Sequence, residues 1–342
     1  MPDLFKLPLA KLHFRKILIK RKDNMLDSFG RDINYLRLSV TDRCNLRCRY
    51  CMPESGLCSK LSHSDMLTEE ESIMAVRAAA ELGFRKVRIT GGEPLVKKNI
   101  LSLCEKTAST PGIKEVCLTT NAIALEKMAL DLKKAGVGRL NISLDTLSPE
   151  KYAYMTRGGD FHAAMRGIEK ALEVGFSKIK INAVLIGGFN DDEIVPLAEL
   201  TKKYPVDVRF IELMPFEGCT DFKDDSYISD DVVMKALPEA KPLPSDGSVA
   251  KLIALPGAKG NVGLISALSD KFCGNCNRMR LTSDGRLKPC LHCSDEYSIK
   301  GLGYDDMLSV MKEAIEKKPP CRPRLSNAEK SASGRSMNTI GG

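Results

Sequence analysis

The chain of 342 residues contains no tryptophan, four histidines and only 6% aromatic residues. Proteins that bind single-stranded nucleic acid stack bases on aromatic side chains, so this scarcity argues against nucleic acid as a partner. No apolar run approaches the ~20 residues that a membrane-spanning helix needs. The basic N-terminal segment also lacks the long apolar stretch and small-residue cleavage site of a secretory signal. We therefore expect a cytoplasmic protein without a membrane partner.

The composition is otherwise that of a globular protein, with 43% hydrophobic and 28% charged residues. This length allows one large α/β unit or a barrel with a smaller second domain. The net charge of +8 is consistent with an anionic partner but does not choose among a nucleotide, nucleic acid and a membrane surface. An ordinary sequence begins at Met25, so we treat residues 1–24 as an extension of unknown role.

Cysteine is abundant, with 12 residues in the chain. Without a secretion signal, clustered cysteines indicate metal binding or redox chemistry more often than a disulfide framework. Seven of them form two tight groups. The scattered remainder are predicted to be small buried residues or idle surface thiols; they are Cys58, Cys104, Cys117, Cys219 and Cys321.

Short strand-like runs alternate with helical stretches from about residue 34 to 215. One connecting helix is well defined, because Thr68 and Glu71 form a capping-box pattern and Gly83 can end the helix. Helices between strands indicate right-handed βαβ units and a parallel sheet. The predicted strands are YLRLSV, KVRIT, EVCLTT, RLNISLD, KIKINAVLI and DVRFIEL.

The predicted strands carry apolar side chains on one face and polar, largely cationic side chains on the other. A closed barrel fills its centre with apolar residues, and a doubly wound sheet is apolar on both faces. Buried cations without a partner would be costly. We therefore expect an incomplete six-stranded barrel around water and an anion. Its polar face holds Arg37, Ser39, Lys86, Arg88, Thr90, Asn141, Ser143, Asp145, Lys178, Lys180, Asn182 and Arg209.

The first cysteine group, Cys44, Cys48 and Cys51, has C-x3-C-x2-C spacing and follows the first predicted strand. The loop after a barrel strand lies at the carboxyl-terminal mouth, where active sites of such folds occur. Three thiolates can hold three irons of a cubane and leave the fourth iron open. Structural zinc would need a fourth ligand, for which only Cys58 or His63 is near in sequence.

These cysteines match the signature of the radical S-adenosylmethionine superfamily, and the Gly91-Gly92-Glu93-Pro94 loop after the second strand extends the resemblance. The resemblance implies a [4Fe–4S] cluster whose electron splits S-adenosylmethionine into methionine and a 5′-deoxyadenosyl radical. By position, the residues that contact S-adenosylmethionine are Tyr50, Gly92, Ser143 and Met214.

The second cysteine group has the spacing Cys273-x2-Cys276-x13-Cys290-x2-Cys293. By itself this pattern favours zinc. However, Arg278 and Arg280 follow Cys276 on alternate residues, which suits bidentate recognition of phosphate or purine.

The stretch CGNCNRMRL, together with KVRITGGEPL, RFIELMP and the terminal MNTIGG, resembles the GTP 3′,8-cyclase family over roughly residues 30 to 342. The resemblance implies a second [4Fe–4S] cluster on Cys273, Cys276 and Cys290 that binds the guanine of GTP at its open iron. It also implies the GTP contacts Arg37, Arg88, Thr119, Lys180, Arg278, Met279 and Arg280, with Arg209 and Lys86 as supporting cations.

The reaction that the resemblance implies is abstraction of the ribose 3′ hydrogen of GTP, followed by cyclisation onto C8 to give 3′,8-cyclo-7,8-dihydro-GTP, the first step of molybdenum cofactor biosynthesis. The implied catalytic residues are Arg37, Arg278, Arg280, Gly341 and Gly342, the last two through a Gly-Gly end that enters the active site. The implied partners are an electron donor such as flavodoxin or ferredoxin, a downstream cyclic pyranopterin monophosphate synthase and, in some members, a second copy of the chain.

Cys293 and Ala122 depart from the family pattern. Cys293 is an additional thiol that we expect to lie beside the second cluster without binding it, and Ala122 replaces a frequent glycine in a loop. We expect a barrel over residues 25–230 and a C-terminal domain over residues 231–342 that closes the barrel mouth. Two other hypotheses remain at this point: a radical enzyme that modifies a peptide or RNA, and a non-catalytic zinc module that binds nucleic acid.

Overall fold

The computed structural model describes residues 25–55, 61–216, 222–245, 247, 249–326 and 329–341. The extension 1–24 and the predictions for Cys58, Cys219 and Gly342 lie outside these described residues. No helix in the described ranges is both long and apolar enough to cross a bilayer.

Six parallel strands form the centre of the fold, and each coincides with a predicted strand to within two residues at either end. They are β1 Tyr35–Ser39, β2 Lys86–Thr90, β3 Glu115–Thr120, β4 Arg139–Ser143, β5 Lys178–Leu185 and β6 Val206–Glu212. They pair in chain order, and their connections contain α1 Glu69–Glu81, α2 Ile100–Ala108, α3 Leu125–Lys134, α4 Pro149–Thr156, α5 Phe161–Val174 and α6 Ile194–Lys203.

The rest of the chain adds strands to both edges of this sheet. Parallel to β1 lies β10 Arg278–Leu281, followed by β11 Arg286–Lys288 and β12 Tyr297–Ser298. Parallel to β6 lies β9 Val262–Ile265, followed by β8 Lys251–Ala254 and β7 Lys241–Pro242. Because β1 and β6 each pair with a different added strand, the six-stranded barrel stays open between them. Three further helices are α7 Asp231–Ala236, α8 Tyr304–Glu316 and α9 Met337–Ile340.

The predicted start and end of α1 are confirmed. Thr68 Oγ1 accepts a hydrogen bond from the Glu71 backbone N–H, and the Glu71 side chain accepts one from Thr68. Gly83 follows the helix with φ +93°, a backbone conformation that costs glycine little. The carboxylate of Glu71 also accepts a hydrogen bond from Gly301 at 3.0 Å, so the cap connects α1 to the C-terminal part of the chain.

The apolar face of the sheet packs under the helices, as the alternation of side chains predicted. Leu36, Leu38, Val87, Ile89 and Ile142 are all fully buried there. Successive side chains in a strand point to opposite faces, so the polar residues between them must face the other side. The fold thereby directs the cationic face into the interior of the open barrel.

Candidate active site

A cavity of about 550 Å³ lies inside the open barrel, a volume typical of ligand sites. It is lined by both cysteine groups, with Cys44, Cys48 and Cys51 on one side and Cys273, Cys276 and Cys290 on the other. Most of the predicted polar face also lines it. The exceptions are Ser39, which is buried, and Lys178, whose Nζ lies 3.0 Å from Asp207 Oδ2.

The loop of the first cysteine group packs against the Gly91-Gly92 loop without space for side chains. A Cβ on Gly92 would lie 2.2 Å from the Arg43 carbonyl oxygen, and a Cβ on Gly91 would lie 2.5 Å from the Thr41 oxygen. The Gly92 N–H donates to the Thr41 oxygen at 2.7 Å. The two glycines are therefore needed for contact with the backbone that precedes Cys44, in addition to any contact with a ligand.

The other side of the same loop is held by the end of α4. The backbone N–H of Arg49 donates to the Met155 oxygen, and Arg157 donates from Nη1 to the oxygens of Arg47 and Met52 at 2.7 and 2.9 Å. Arg157 has φ +54°, which is uncommon for a residue other than glycine and is often found at functional sites. This residue was missed by sequence reasoning, since a lone arginine after a helix gives no signal.

Two buried carboxyl groups stand beside the first cysteine group. Burial raises the pKa of Glu93 to about 7, although Glu93 accepts hydrogen bonds from Leu95, Thr120 and Asn121. Burial likewise raises the pKa of Asp145 to about 6, and Asp145 accepts a hydrogen bond from Tyr50 Oη at 2.8 Å. Glu93 connects the loops after β2 and β3, so it holds together the two loops that line the cavity next to the cysteines.

The second cysteine group lies in a cationic environment. The backbone N–H of Arg322 donates to Cys273 Sγ at 3.3 Å, and the buried Lys318 donates from Nζ to the Arg278 oxygen at 2.8 Å. Burial opposes ionisation of Cys276, but Lys318 and Arg278 outweigh it and lower the pKa of that thiol. Lys318 and Arg322 come from a segment with no motif, so the sequence did not indicate them.

The donor sets fit iron–sulfur clusters better than mononuclear zinc. Each group offers three half-buried thiols on one cavity wall. A cubane takes each thiolate at a different iron, whereas tetrahedral zinc needs its ligands around one atom. His63, the other candidate zinc ligand, is exposed and lies outside the cavity lining.

Cys293 is buried and does not line the cavity. Its thiol donates a hydrogen bond to Cys290. This bond lowers the pKa of Cys290 against the opposing effect of burial, and the bond and burial together raise the pKa of Cys293. This placement supports the prediction that Cys293 lies beside the second cluster without occupying its open site.

The cations of the cavity divide into two sets. At the amino-terminal ends of the strands, Glu115 pairs with Lys86 and Arg139, and Asp207 lies 3.6 Å from Lys180. Further in, the buried Nε atoms of Arg88, Arg209 and Arg278 have no hydrogen-bond partner among the described residues. Burial first and repulsion by Arg88 second lower the pKa of Arg209 to about 10. Such a concentration of buried guanidinium groups fits a polyanion.

The predicted substrate and S-adenosylmethionine residues all line this cavity except one. The exception is Met279, whose side chain is buried in the core on the opposite face of β10. Alternation along β10 points Arg278 and Arg280 inward and Met279 outward, so only the backbone of Met279 is left for a substrate contact. The contact predicted for Met279 stays a prediction, and on this placement its backbone would make it.

The end of the chain enters the same cavity. Asn338 donates to the Asp42 oxygen at 3.2 Å, and Arg280 Nη1 donates to the Gly341 oxygen at 2.6 Å. Gly341 has φ +76°, and a Cβ there would lie 2.6 Å from Thr90 Cγ2. A side chain at this position would collide with the paired ends of β1 and β2, so the tail packs closely against them only because residue 341 is glycine.

Comparisons with known proteins agree with this architecture. The family model of the radical SAM superfamily matches residues 38–201, and that of Molybdenum Cofactor Synthesis C matches residues 206–322. The structure of SuiB from Streptococcus suis bound to S-adenosylmethionine has a TM-score of 0.61 and 18% identity, covering 83% of this chain and 67% of that one. At this identity the likeness concerns the fold alone.

Curated relatives are far closer in sequence. The GTP 3′,8-cyclase of Alkaliphilus metalliredigens is 46% identical over 93% of this chain and 100% of its own length. That of Peptoclostridium acidaminophilum is 48% identical over 87% of this chain and 93% of its own. Two [4Fe–4S] clusters and S-adenosylmethionine are the cofactors of this group of enzymes, and the donor sets described above fit them. The chain belongs to the GTP 3′,8-cyclase family of the radical S-adenosylmethionine superfamily.

Proposed function

We propose that the chain converts GTP to 3′,8-cyclo-7,8-dihydro-GTP, the first step of molybdenum cofactor biosynthesis. The observation that carries the proposal is one cavity lined by two cysteine triads together with Arg88, Arg209 and Arg278, whose buried Nε atoms have no hydrogen-bond partner in the part of the chain that the structure describes. When bound, the clusters and S-adenosylmethionine supply the electron and the radical that removes the ribose 3′ hydrogen. The chain itself must bind a triphosphate, orient the ribose and exclude water.

The cations of the open barrel would bind GTP. Arg88, Arg209 and Lys180 surround the part of the cavity that suits a triphosphate, and Arg37 pairs in register with Arg88 and Arg280 on the neighbouring strands. Arg278 and Arg280 stand beside Cys276, where the purine and ribose would approach the open iron. Thr119 adds a hydroxyl group whose buried oxygen has no hydrogen-bond partner among the described residues.

Around the first cluster, Tyr50, Gly92, Ser143 and Met214 would bind S-adenosylmethionine, since all four line the cavity on the side of Cys44. The Tyr50 hydroxyl is oriented by its hydrogen bond to Asp145, which is the kind of support that fixes a ligand-binding side chain. Gly341, followed by Gly342, would complete the catalytic set by holding Arg280 through the Gly341 carbonyl oxygen.

The experiment is anaerobic incubation of the reconstituted chain with GTP, S-adenosylmethionine and a strong reductant. We expect 5′-deoxyadenosine and the cyclic product together, from protein that contains about eight irons in two cubanes. Formation of 5′-deoxyadenosine without a cyclic product would reject GTP as substrate but retain the radical chemistry. Stoichiometric zinc without iron would favour the nucleic-acid module instead.

An acidic one-electron carrier such as flavodoxin or ferredoxin is the proposed electron donor. Arg43 and Arg47 are exposed on the loop that carries the first cysteine group, and opposite charge steers association. We expect Arg43→Glu/Arg47→Glu to slow turnover with flavodoxin and not with dithionite. The matched double reversal Lys133→Glu/Lys134→Glu, on the end of α3, should slow neither, and equal losses in both variants would contradict this surface.

Three further assignments complete the proposal. The chain would act in the cytoplasm. Its product would pass to a cyclic pyranopterin monophosphate synthase. The barrel over residues 25–230 and the C-terminal domain over residues 231–342 would act as one unit. A homodimer is an additional possibility that sedimentation of the loaded enzyme tests. Sedimentation as a monomer at micromolar concentration would reject the dimer.

A further inference from the structure

The C-terminal segment does more than bring Gly341 into the cavity. We call residues 329–341 the tail and residues 289–293, which include Cys290, the ligand loop. The tail lies against the ligand loop before it reaches Arg280, and it makes two separate polar contacts with the loop and the segment that follows it.

The first contact is made by Arg335. Its guanidinium binds two carboxylates in bidentate fashion: Glu296 at 2.6 and 2.7 Å, and Asp284 at 2.9 and 3.2 Å. The side chains of Arg335, Asp284 and Glu296 are each about one-fifth exposed. Bidentate pairs between arginine and a carboxylate are stronger and more specific in geometry than single ion pairs.

Glu296 connects Arg335 to the ligand loop through Lys288. Lys288 is fully buried and donates from Nζ to Glu296 Oε1 and to the Cys293 oxygen, both at 2.9 Å. A buried ammonium group depends on its counterion and its hydrogen bonds. Arg335 and Lys288 together balance Asp284 and Glu296, so loss of Arg335 leaves one uncompensated negative charge and frees Glu296 to move. The Cys293 carbonyl is three residues from Cys290, so such movement reaches the ligand directly.

The second contact is made by Ser331. Its hydroxyl lies 3.1 Å from His292 Nδ1, and its backbone N–H donates to the Pro215 oxygen at 2.8 Å. His292 is buried and stacks on Phe216 with the ring centroids 5.3 Å apart. The ligand loop is thus enclosed between the end of β6 and the tail.

We propose that docking of the tail retains the second cluster and that Arg335 is the principal positioning residue in this role. We call the docked tail the clasp. Docking of the tail holds the ligand loop in the conformation that presents Cys290 to the cluster. Arg335 and Ser331 contact the segment that carries Cys290, so loss of these contacts is expected to release the second cluster before the first. This inference rests on the proposed function only in taking Cys290 as a cluster ligand.

The test is release of iron from the fully reconstituted chain to a chelator without oxygen, with Mössbauer and EPR spectra to assign the cluster that is lost. Arg335→Ala removes the clasp, and Arg335→Lys keeps the charge but cannot make two bidentate pairs. Arg324→Ala is the matched control, because Arg324 is exposed in the same C-terminal part of the chain and forms no ion pair with a described residue. S-adenosylmethionine binding to the first cluster is measured in parallel.

We expect Arg335→Ala to lose the second cluster about tenfold faster than the unmodified chain, since charge-assisted hydrogen bonds are the stronger ones to lose. Arg335→Lys should be intermediate and Arg324→Ala unchanged, with first-cluster iron and S-adenosylmethionine binding retained in all variants. Equal loss of both clusters, or no acceleration in Arg335→Ala, would overturn the clasp. If the unmodified chain holds no second cluster at all, the proposed function fails whatever Arg335 does.

Discussion

Gly341→Ala is the substitution for which the structure gives the clearest magnitude. The added Cβ would lie 2.6 Å from Thr90 Cγ2 and 3.2 Å from Ser39 Cβ, on a backbone with φ +76°. A left-handed backbone costs an L-residue roughly 1–2 kcal/mol. Forcing an extra methyl into packed surroundings costs roughly 1–3 kcal/mol more. The docked state of the tail should therefore lose about 2–5 kcal/mol, which corresponds to roughly 30- to 4000-fold in its equilibrium constant.

Gly334→Ala is the matched control within the same segment. Gly334 also has a positive φ of +62°, but nothing lies within 4 Å of its added Cβ. Its substitution carries the backbone cost of about 1–2 kcal/mol without the clash, so it should lower docking by roughly 5- to 30-fold. Comparison of the two variants isolates the packing of Gly341 between Ser39 and Thr90 from the general strain of replacing a glycine.

The assay measures formation of the cyclic product and of 5′-deoxyadenosine at saturating GTP and S-adenosylmethionine. We expect Gly341→Ala to lower product formation much more than Gly334→Ala, because the Gly341 carbonyl would no longer hold Arg280. The reasoning is refuted if both variants form product at the same rate. Rates are expressed per bound second cluster, because undocking of the tail is itself expected to release that cluster.

Further predictions concern charge, the additional thiol and helix stability. Burial first and Arg209 second lower the pKa of Lys180 to about 7, so its ammonium loses a proton as pH rises through 7. GTP should therefore bind more weakly above pH 7, and binding there should be accompanied by proton uptake, which calorimetry in two buffers measures. Lys180→Arg should make GTP affinity nearly independent of pH in this range. An unchanged dependence of affinity on pH in that variant would show that Lys180 is not its cause. Cys293→Ser should leave iron content and GTP affinity within about twofold, and a large gain in affinity would show that Cys293 had closed the fourth iron site. Thr68→Ala should lower the free energy of unfolding by about 1 kcal/mol through loss of the cap. The measurement is a shift in the urea midpoint at unchanged slope. No shift would show that the hydrogen bond from Gly301 to Glu71 is sufficient to hold this end of α1.

The strand positions and the polar interior could be predicted from the sequence because alternation is a local property of the chain. Arg37, Arg88 and Lys180 were placed on one face by counting every second residue, and the structure puts all three in the cavity. The same counting places the side chain of Met279 on the opposite face, between two inward arginines, whereas its predicted substrate contact came from resemblance of the whole stretch.

Other site residues gave no local signal. Arg157, Lys318 and Arg322 act on the cysteine loops through contacts between distant parts of the chain, so no spacing in the sequence indicates them. The glycines of the Gly91-Gly92 loop were correctly noted, but the backbone of Thr41 and Arg43 that they accommodate is about 50 residues away in sequence.

The sequence by itself determined the repeated strand–helix order, the cap of α1 and the family, because each depends on residue type and spacing alone. The tertiary structure decided which edges of the six-stranded sheet the C-terminal strands extend and how the tail meets His292 and Arg280. It also decided which cations are already neutralised by Glu115 and Asp207. These are relations between groups far apart in the chain. Their free energies arise from burial and from charges brought together in three dimensions, so only the folded molecule can set them.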